Sequence, residues 1–128
     1  MRRAPWAART ALVLAALATV GQAVVLYAPD APGASPFPGS DKVVHLAVFL
    51  VPVALALRAG LPVRWVVGLF AAHALLSEVV QATLLPHRSG DPLDAVADLV
   101  GVVLAVLAHR LRPGPRPSAV AGRRATRW

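Results

Sequence analysis

The feature that most constrains this chain is a set of four apolar segments, each about as long as a bilayer is thick. They cover about residues 10–28, 41–59, 63–85 and 92–111. About 20 helical residues cross the roughly 30 Å hydrocarbon core of a membrane. Backbone polar groups cannot be left unpaired in lipid, so each segment is predicted to be a helix. Residues 1–112 are therefore predicted to have an all-α fold, a four-helix transmembrane bundle.

The composition agrees with membrane insertion and excludes several classes of site. Of the 128 residues, 57% are hydrophobic and 15% are charged, against roughly 45 to 50% and 25% in soluble proteins. The absence of cysteine excludes disulfides, a thiol nucleophile and cysteine-ligated metals. The formal net charge of +7 does not indicate nucleic-acid binding, because the basic residues flank apolar segments and form no polar face. The predicted partners are membrane lipids.

The first segment has a second interpretation as a cleaved signal peptide. Arg2, Arg3 and Arg9 form a basic region before it, and residues 21–23 offer a cleavage site flanked by small residues. The apolar stretch nevertheless continues to Tyr27, where an aromatic side chain suits the membrane interface. This length favours a first membrane span, and the question of cleavage stays open.

Local signals predict where the other helices begin and end. Prolines and glycines in residues 29–39 predict an exposed loop, after which Ser40 is a candidate N-cap. Pro52 is predicted to kink the second helix. Asp91 is predicted to cap the fourth helix, with Pro92 at its first position. Residues 113–128 are rich in arginine and proline, and we expect a disordered basic cytoplasmic tail there.

The distribution of basic residues predicts the orientation. With four spans, all but two of the 13 lysines and arginines fall on one side of the membrane. The exceptions are Lys42 and Arg88. Cytoplasmic loops are enriched in lysine and arginine, so both termini are expected in the cytoplasm. The expected location is the plasma membrane, with loops 29–42 and 86–92 outside.

Polar side chains in the last three segments recur at helical spacing, so each set lies on one face of its helix. The sets are Asp41 with His45, Glu78 with Gln81, and Asp94 with Asp98 and Gly101. Lipid solvates ionisable groups poorly, so intramembrane carboxylates ordinarily face the interior of a bundle. The polar faces are therefore predicted to meet.

Three of these side chains come from different helices and lie at similar depths. Counted from the outer helix ends, Glu78 and Asp98 lie roughly 10 Å deep and His45 lies roughly 7 Å deep. We therefore expect a polar pocket that opens outward. Its predicted members are Asp41, Lys42, His45, Glu78, Gln81, Arg88, Asp94 and Asp98, with Gly101 as a helix-packing position.

Three motifs resemble those of a known family. Residues 41–45 read DKVVH and are similar to the motif D-K-x-x-H. Residues 78–81 read EVVQ, like E-x-x-Q, and LPHR at 85–88 is similar to L-P-x-R. Residues 94–101, DAVADLVG, are similar to D-x-x-x-N-x-x-G. In order and spacing the chain resembles the VanZ-like membrane proteins over about residues 10–111.

The resemblance implies a protein of the bacterial cell envelope with a link to glycopeptide resistance, since the family is named for a teicoplanin-resistance protein. Two positions depart from the family pattern. Asp98 stands where an asparagine is expected, and Ala105 stands where a glycine is common. The first departure adds an acid to a pocket that already contains Glu78 and Asp94.

Three functions stay open for the pocket. It could recognise an envelope lipid or cell-wall precursor headgroup, with Lys42 and Arg88 on phosphate and the carboxylates on amine or hydroxyl groups. A catalytic version would use Glu78 or His45 as a general base and Arg88 as a clamp. The polar residues could instead be interhelical glue, or a site for protons or a hard divalent cation rather than zinc.

The sequence does not decide among these functions. It contains no glycine-rich phosphate loop and no H-E-x-x-H motif. Ser77 has no histidine at a spacing that indicates a serine hydrolase. Enzymatic activity, cofactor and oligomeric state therefore stay open, and no metal ligand is assigned.

Overall fold

The computed structural model describes residues 5–29, 36–85, 87–88 and 90–112. They form the helices α1 (Pro5–Tyr27), α2 (Ser40–Ala59), α3 (Val63–Leu84) and α4 (Pro92–Arg110). All four helices are long and apolar enough to cross a membrane. The predicted all-α, four-helix transmembrane fold is confirmed, and the protein is a multi-pass membrane protein. The tail predicted to be disordered, residues 113–128, lies outside the described residues.

The helix ends differ from the predicted ones in two places. Helix α1 begins at Pro5, before Arg9, because a helix can extend beyond the hydrocarbon core of the membrane. The prediction of Ser40 as an N-cap is wrong: Gly39 caps α2 with φ 82° in the left-handed region, and Ser40 is the first helical residue. Asp91 caps α4 as predicted, since its side chain accepts a hydrogen bond from the Leu93 N–H.

Helix α2 is the central element of the bundle. It contacts each of the other three helices, most extensively α4 and then α1. The helix continues through Pro52 and ends at Gly60, which has φ 94° and donates its backbone N–H to the Leu57 carbonyl. Only glycine adopts this conformation without strain, so the short connection to α3 depends on Gly60.

Gly101 permits the close approach of α4 to α2. A Cβ atom at this position would collide with the carbonyl of Leu46 and would lie 3.1 Å from the Leu50 nitrogen. Both obstacles are backbone atoms of α2 and cannot rotate away. The two helices therefore touch backbone to backbone one turn below Asp98, and this contact holds the polar residues of α2 and α4 together.

The apolar core lies directly beneath those polar residues. Phe49 is one turn after His45, is fully buried, and makes an edge contact with the Phe70 ring at 6.2 Å between centroids. Val53 and Val102 continue the core along α2 and α4. Large apolar side chains such as Leu69 are exposed on the outside of the bundle, where a membrane supplies lipid contacts.

Candidate functional site

The ends of all four helices meet at one end of the bundle, which we call the polar end. Helices α1 and α3 end there, and α2 and α4 begin there. The charged side chains at this end form two layers. The ionic layer is partly exposed and comprises Asp41, Lys42, Asp91 and Asp94. The buried layer lies beneath it and comprises His45, Glu78 and Asp98.

The ionic layer is organised around the ammonium group of Lys42. Its Nζ donates to Asp41 Oδ2 at 3.1 Å, to Asp91 Oδ2 at 2.9 Å and to Asp94 Oδ1 at 3.1 Å. Three donors on a flexible stem satisfy three carboxylates from two helices. The Lys42 side chain is 33% exposed, so these ion pairs are accessible to other molecules from the polar end.

Asp91 was predicted only as a helix cap, and the structure gives it a second role in the ionic layer. Its Oδ1 accepts the Leu93 N–H at 2.9 Å while its Oδ2 accepts Lys42. The hydrogen bond from the Lys42 ammonium, followed by the bond from the Leu93 backbone, holds the pKa of Asp91 below its usual value. Asp91 is therefore an anion at neutral pH.

The buried layer joins three helices around the imidazole of His45. Nδ1 of this ring lies 3.0 Å from Asp98 Oδ1 and 3.9 Å from Glu78 Oε1, and Nε2 lies 3.8 Å from Asp94 Oδ2. Asp98 is completely buried and Glu78 is 9% exposed. The predicted convergence of α2, α3 and α4 is thus present in the geometry of these side chains.

The loop before α4 connects the two layers. The backbone N–H of Asp91 donates to Glu78 Oε2 at 2.9 Å. Gly90 lies against the end of α3, where an added Cβ would be 2.7 Å from the Ala82 Cβ and 2.9 Å from the Glu78 carbonyl oxygen. Gly90 was not predicted as a site residue. Its one signal in the sequence is that it is a glycine in a polar loop.

Two predicted pocket residues hold α1. The Gln81 amide donates to the Leu26 carbonyl at 2.9 Å, and the Arg88 guanidinium donates to the carbonyls of Val25 and Ala28. Within the described ranges, Arg88 forms no hydrogen bond or ion pair with Lys42 or with a carboxylate. Arg88 therefore satisfies open carbonyls at the end of α1, and its predicted contact with phosphate stays a prediction.

Two other polar residues of α3 form hydrogen bonds with groups outside the two layers. His73 Nε2 lies 2.9 Å from the Tyr27 hydroxyl of α1. The Ser77 hydroxyl donates to the Ala74 carbonyl of its own helix at 2.9 Å, which is not the geometry of an activated nucleophile. Neither contact indicates hydrolytic chemistry.

Several buried polar atoms have no hydrogen-bond partner within the described part of the chain. In the buried layer these atoms are Glu78 Oε1 and Asp98 Oδ2. On α1 they are both amide atoms of Gln22. Gln22 is 1% exposed, which the sequence did not reveal because the rotation of α1 was unknown. Native proteins leave few such atoms unpaired, so each one calls for an explanation.

The charge of the two layers is strongly unbalanced, and Arg88 at the same end of the bundle belongs to neither layer. The two layers contain five carboxylates but only one side chain that is always cationic, Lys42, and one imidazole, His45. The described residues of the cluster can therefore accept further positive charge, as a protonated amine, a metal ion or a proton. Comparison of the chain with protein families, with curated proteins and with solved structures found no match.

Proposed function

We propose that this chain is a VanZ-like protein of the bacterial cell envelope whose ionic layer recognises the amine of an envelope lipid or cell-wall precursor headgroup. The motifs at residues 41–45, 78–88 and 94–101 support the family proposal. The excess of carboxylates at the polar end supports an amine as the recognised group.

The observation that carries this proposal is the environment of the Lys42 ammonium. Three carboxylate oxygens lie 2.9 to 3.1 Å from Nζ, which is the arrangement that a headgroup ammonium needs. The lysine stem is flexible and partly exposed, so an incoming amine exchanges with Lys42 and leaves the charge of the site unchanged. A headgroup phosphate is disfavoured beside Lys42, because three carboxylates surround its ammonium.

Lipid retention tests this proposal with opposite predictions for amine and phosphate recognition. Protein in detergent micelles is mixed with phosphatidylethanolamine or phosphatidylglycerol, and retained lipid is counted by native mass spectrometry. We expect preferential retention of phosphatidylethanolamine. Lys42→Met removes the competing ammonium and should increase that preference, whereas Asp94→Asn should reduce it.

Arg64→Met, at the opposite end of the bundle, is the matched control and should leave the preference unchanged. Loss of phosphatidylethanolamine retention in Lys42→Met would show that Lys42 itself contacts the lipid, most simply at phosphate. Equal retention of both lipids by the wild type would end the amine proposal.

The link to glycopeptide resistance has its own test. Teicoplanin susceptibility is measured in a bacterial host that expresses the wild type or Asp94→Asn, and membrane-inserted protein is quantified in each strain. We expect the wild type to reduce susceptibility and Asp94→Asn to abolish the effect at equal abundance. A wild type without effect would separate this chain from the resistance phenotype.

A structural role is the second candidate, and the 3.0 Å contact between His45 of α2 and Asp98 of α4 favours it. Hydrogen bonds between membrane helices stabilise a bundle by roughly 0.6 to 2 kcal/mol each. If the abundance and the phenotype of Asp94→Asn fall together, the polar side chains act as interhelical glue.

The proposed orientation has both termini in the cytoplasm, because basic residues dominate the end opposite the polar end. The chain contains no cysteine, so single cysteines report directly on exposure. In intact cells, a membrane-impermeant maleimide should label Phe37→Cys, in the loop before α2, and should not label Leu61→Cys, in the loop after it. The reverse pattern would invert the topology.

A further inference from the structure

The buried layer contains two carboxylate oxygens that the described residues leave unpaired. Asp98 is fully enclosed, and its Oδ2 has no partner; Glu78 is 9% exposed, and its Oε1 has no hydrogen bond. An isolated carboxylate in a poorly solvated site is strongly unfavourable. These oxygens therefore indicate a ligand that supplies positive charge inside the buried layer.

Lys42 does not supply that charge. Its ammonium contacts only the carboxylates of the ionic layer, at 2.9 to 3.1 Å. The remaining group in the buried layer is His45, whose Nδ1 contacts Asp98 Oδ1 and leaves Oδ2 open. A single imidazole cannot balance both Glu78 and Asp98.

The spacing of the donor atoms suits a metal ion. One donor atom from each of His45, Glu78 and Asp98 can be chosen so that all three lie within 4.8 Å of one another. Around an ion with bond lengths near 2.1 Å, octahedral donors lie about 3 to 4.2 Å apart. The distances from His45 Nδ1 to Asp98 Oδ1, 3.0 Å, and to Glu78 Oε1, 3.9 Å, already lie in that range.

The surroundings of His45 also suit metal ligation. Asp94 Oδ2 lies 3.8 Å from Nε2, the second nitrogen of the ring. In metalloproteins the second nitrogen of a ligating histidine commonly faces a carboxylate, which orients the ring. Glu78 is oriented in turn by the Asp91 N–H at Oε2, which leaves Oε1 directed toward His45.

We propose that His45 Nδ1, Glu78 Oε1 and a carboxylate oxygen of Asp98 bind a divalent transition-metal ion. Imidazole with two carboxylates is a mixed nitrogen and oxygen set, which suits Mn²⁺ better than it suits Mg²⁺ or Ca²⁺. The buried layer encloses its donors and so fits a bare ion better than a headgroup. This site is separate from the proposed amine recognition, which uses the ionic layer.

A metal ion at Nδ1 would use the lone pair of that atom. A proton held between Nδ1 and Asp98 Oδ1, which lie 3.0 Å apart, would then pass to Nε2 or to solvent.

Manganese titration tests the site directly. Protein in detergent micelles is treated with EDTA, and Mn²⁺ is added while the signal of the free ion is followed by electron paramagnetic resonance. We expect one Mn²⁺ per chain. Glu78→Gln and Asp98→Asn should each weaken binding by more than about tenfold, a loss already typical of groups that only orient metal ligands.

His73→Gln is the matched control, because it is the same change as His45→Gln at a histidine that contacts the Tyr27 hydroxyl and lies outside both layers. It should bind Mn²⁺ like the wild type. Nitrogen coupling in the spin-echo spectrum of the bound ion should disappear in His45→Gln, a signature that a purely structural histidine would not produce. Helix content measured by circular dichroism confirms that each variant is folded.

Two outcomes would overturn the metal proposal. One is a folded wild type that leaves all Mn²⁺ free at millimolar concentration. The other is equal Mn²⁺ affinity in the wild type, Glu78→Gln and Asp98→Asn. Phosphatidylethanolamine retention by the EDTA-treated protein reports on the ionic layer independently, so either proposal can fail alone.

Discussion

The ionic layer and the buried layer use similar residues in opposite environments. In the ionic layer, Lys42 is shared by three carboxylates, and both it and Asp91 remain about one-third exposed. In the buried layer, His45 faces Glu78 and Asp98 with almost no exposure, and carboxylate oxygens remain unpaired. Exposure, more than residue type, therefore determines what each layer can do. Partners can exchange in the first layer, whereas the second must keep its charges balanced.

The largest expected effect is a loss of stability when His45 is removed from the buried layer. His45→Leu leaves Asp98 buried without its partner, and breaking a buried pair from one side costs about 3 to 5 kcal/mol. The double variant His45→Leu with Asp98→Leu should recover much of that loss, because the Asp98 carboxylate is then no longer left without its partner. Unfolding by SDS in mixed micelles measures both variants. A double variant less stable than His45→Leu alone would contradict the buried-charge explanation.

The next largest loss of stability is expected when the backbone contact between α2 and α4, which supports the buried layer, is disturbed. Gly101→Ala places a methyl group against the Leu46 carbonyl, and overpacking of this kind typically costs about 1 to 3 kcal/mol. The same mixed-micelle unfolding should show the loss. Gly68→Ala is the control, because nothing lies within 4 Å of a Cβ built at Gly68. Equal effects of the two changes would show that the α2–α4 contact has room for a side chain.

A smaller effect of opposite sign is expected at Gln22. Both of its amide atoms are buried without a partner in the described part of the chain, and an unsatisfied buried polar group costs about 1 to 3 kcal/mol. Gln22→Leu keeps a similar volume and should stabilise the bundle in the same unfolding measurement. Destabilisation would instead show that Gln22 has a partner, and its amide atoms would then no longer belong with the unpaired carboxylate oxygens of the buried layer.

The smallest effect is a pH dependence in the ionic layer. Lys42 lowers the pKa of Asp91 in the folded chain, below an ordinary value of about 3.9. Its contribution to stability is therefore complete above the ordinary pKa and is lost as the pH falls through the lowered one. Asp91→Asn retains a capping oxygen but should remove this part of the acid dependence when unfolding is followed from pH 6 to pH 2. An unchanged profile would show that Lys42 does not stabilise the folded chain through Asp91.

The sequence predicted the fold because lipid imposes a simple rule on the chain. Four apolar segments predict four helices, and the observed bounds differ from the predicted ones mainly at Pro5 and Ser40. These differences arise because hydropathy marks the extent of the membrane, whereas helix ends depend on backbone geometry. Gly39, in the left-handed conformation, caps α2 without a side-chain hydrogen bond.

The sequence also predicted which helix faces carry the cluster, since His45, Glu78 and Asp98 follow from helical spacing and depth. It could not predict the path of residues 85–91, and that path directs Arg88 to α1 and the Asp91 N–H to Glu78. Helical spacing also does not fix the rotation of α1, so the burial of Gln22 was hidden. Residues placed by a helix were predictable, and residues placed by a loop were not.

The ion pair between Lys42 and Asp91 also has a consequence for how the chain is made. The two residues are 49 positions apart in sequence, and a ribosome adding about 5 to 20 residues per second takes roughly 2 to 10 s to cover that distance. During this interval α2 exists without α4, so Lys42 lacks Asp91 and Asp94, and His45 lacks Asp98. The last helix to be synthesised therefore completes the electrostatics of the second, and a ribosome stalled before Asp91 leaves Lys42 with Asp41 but without the two acids that it contacts at the start of α4.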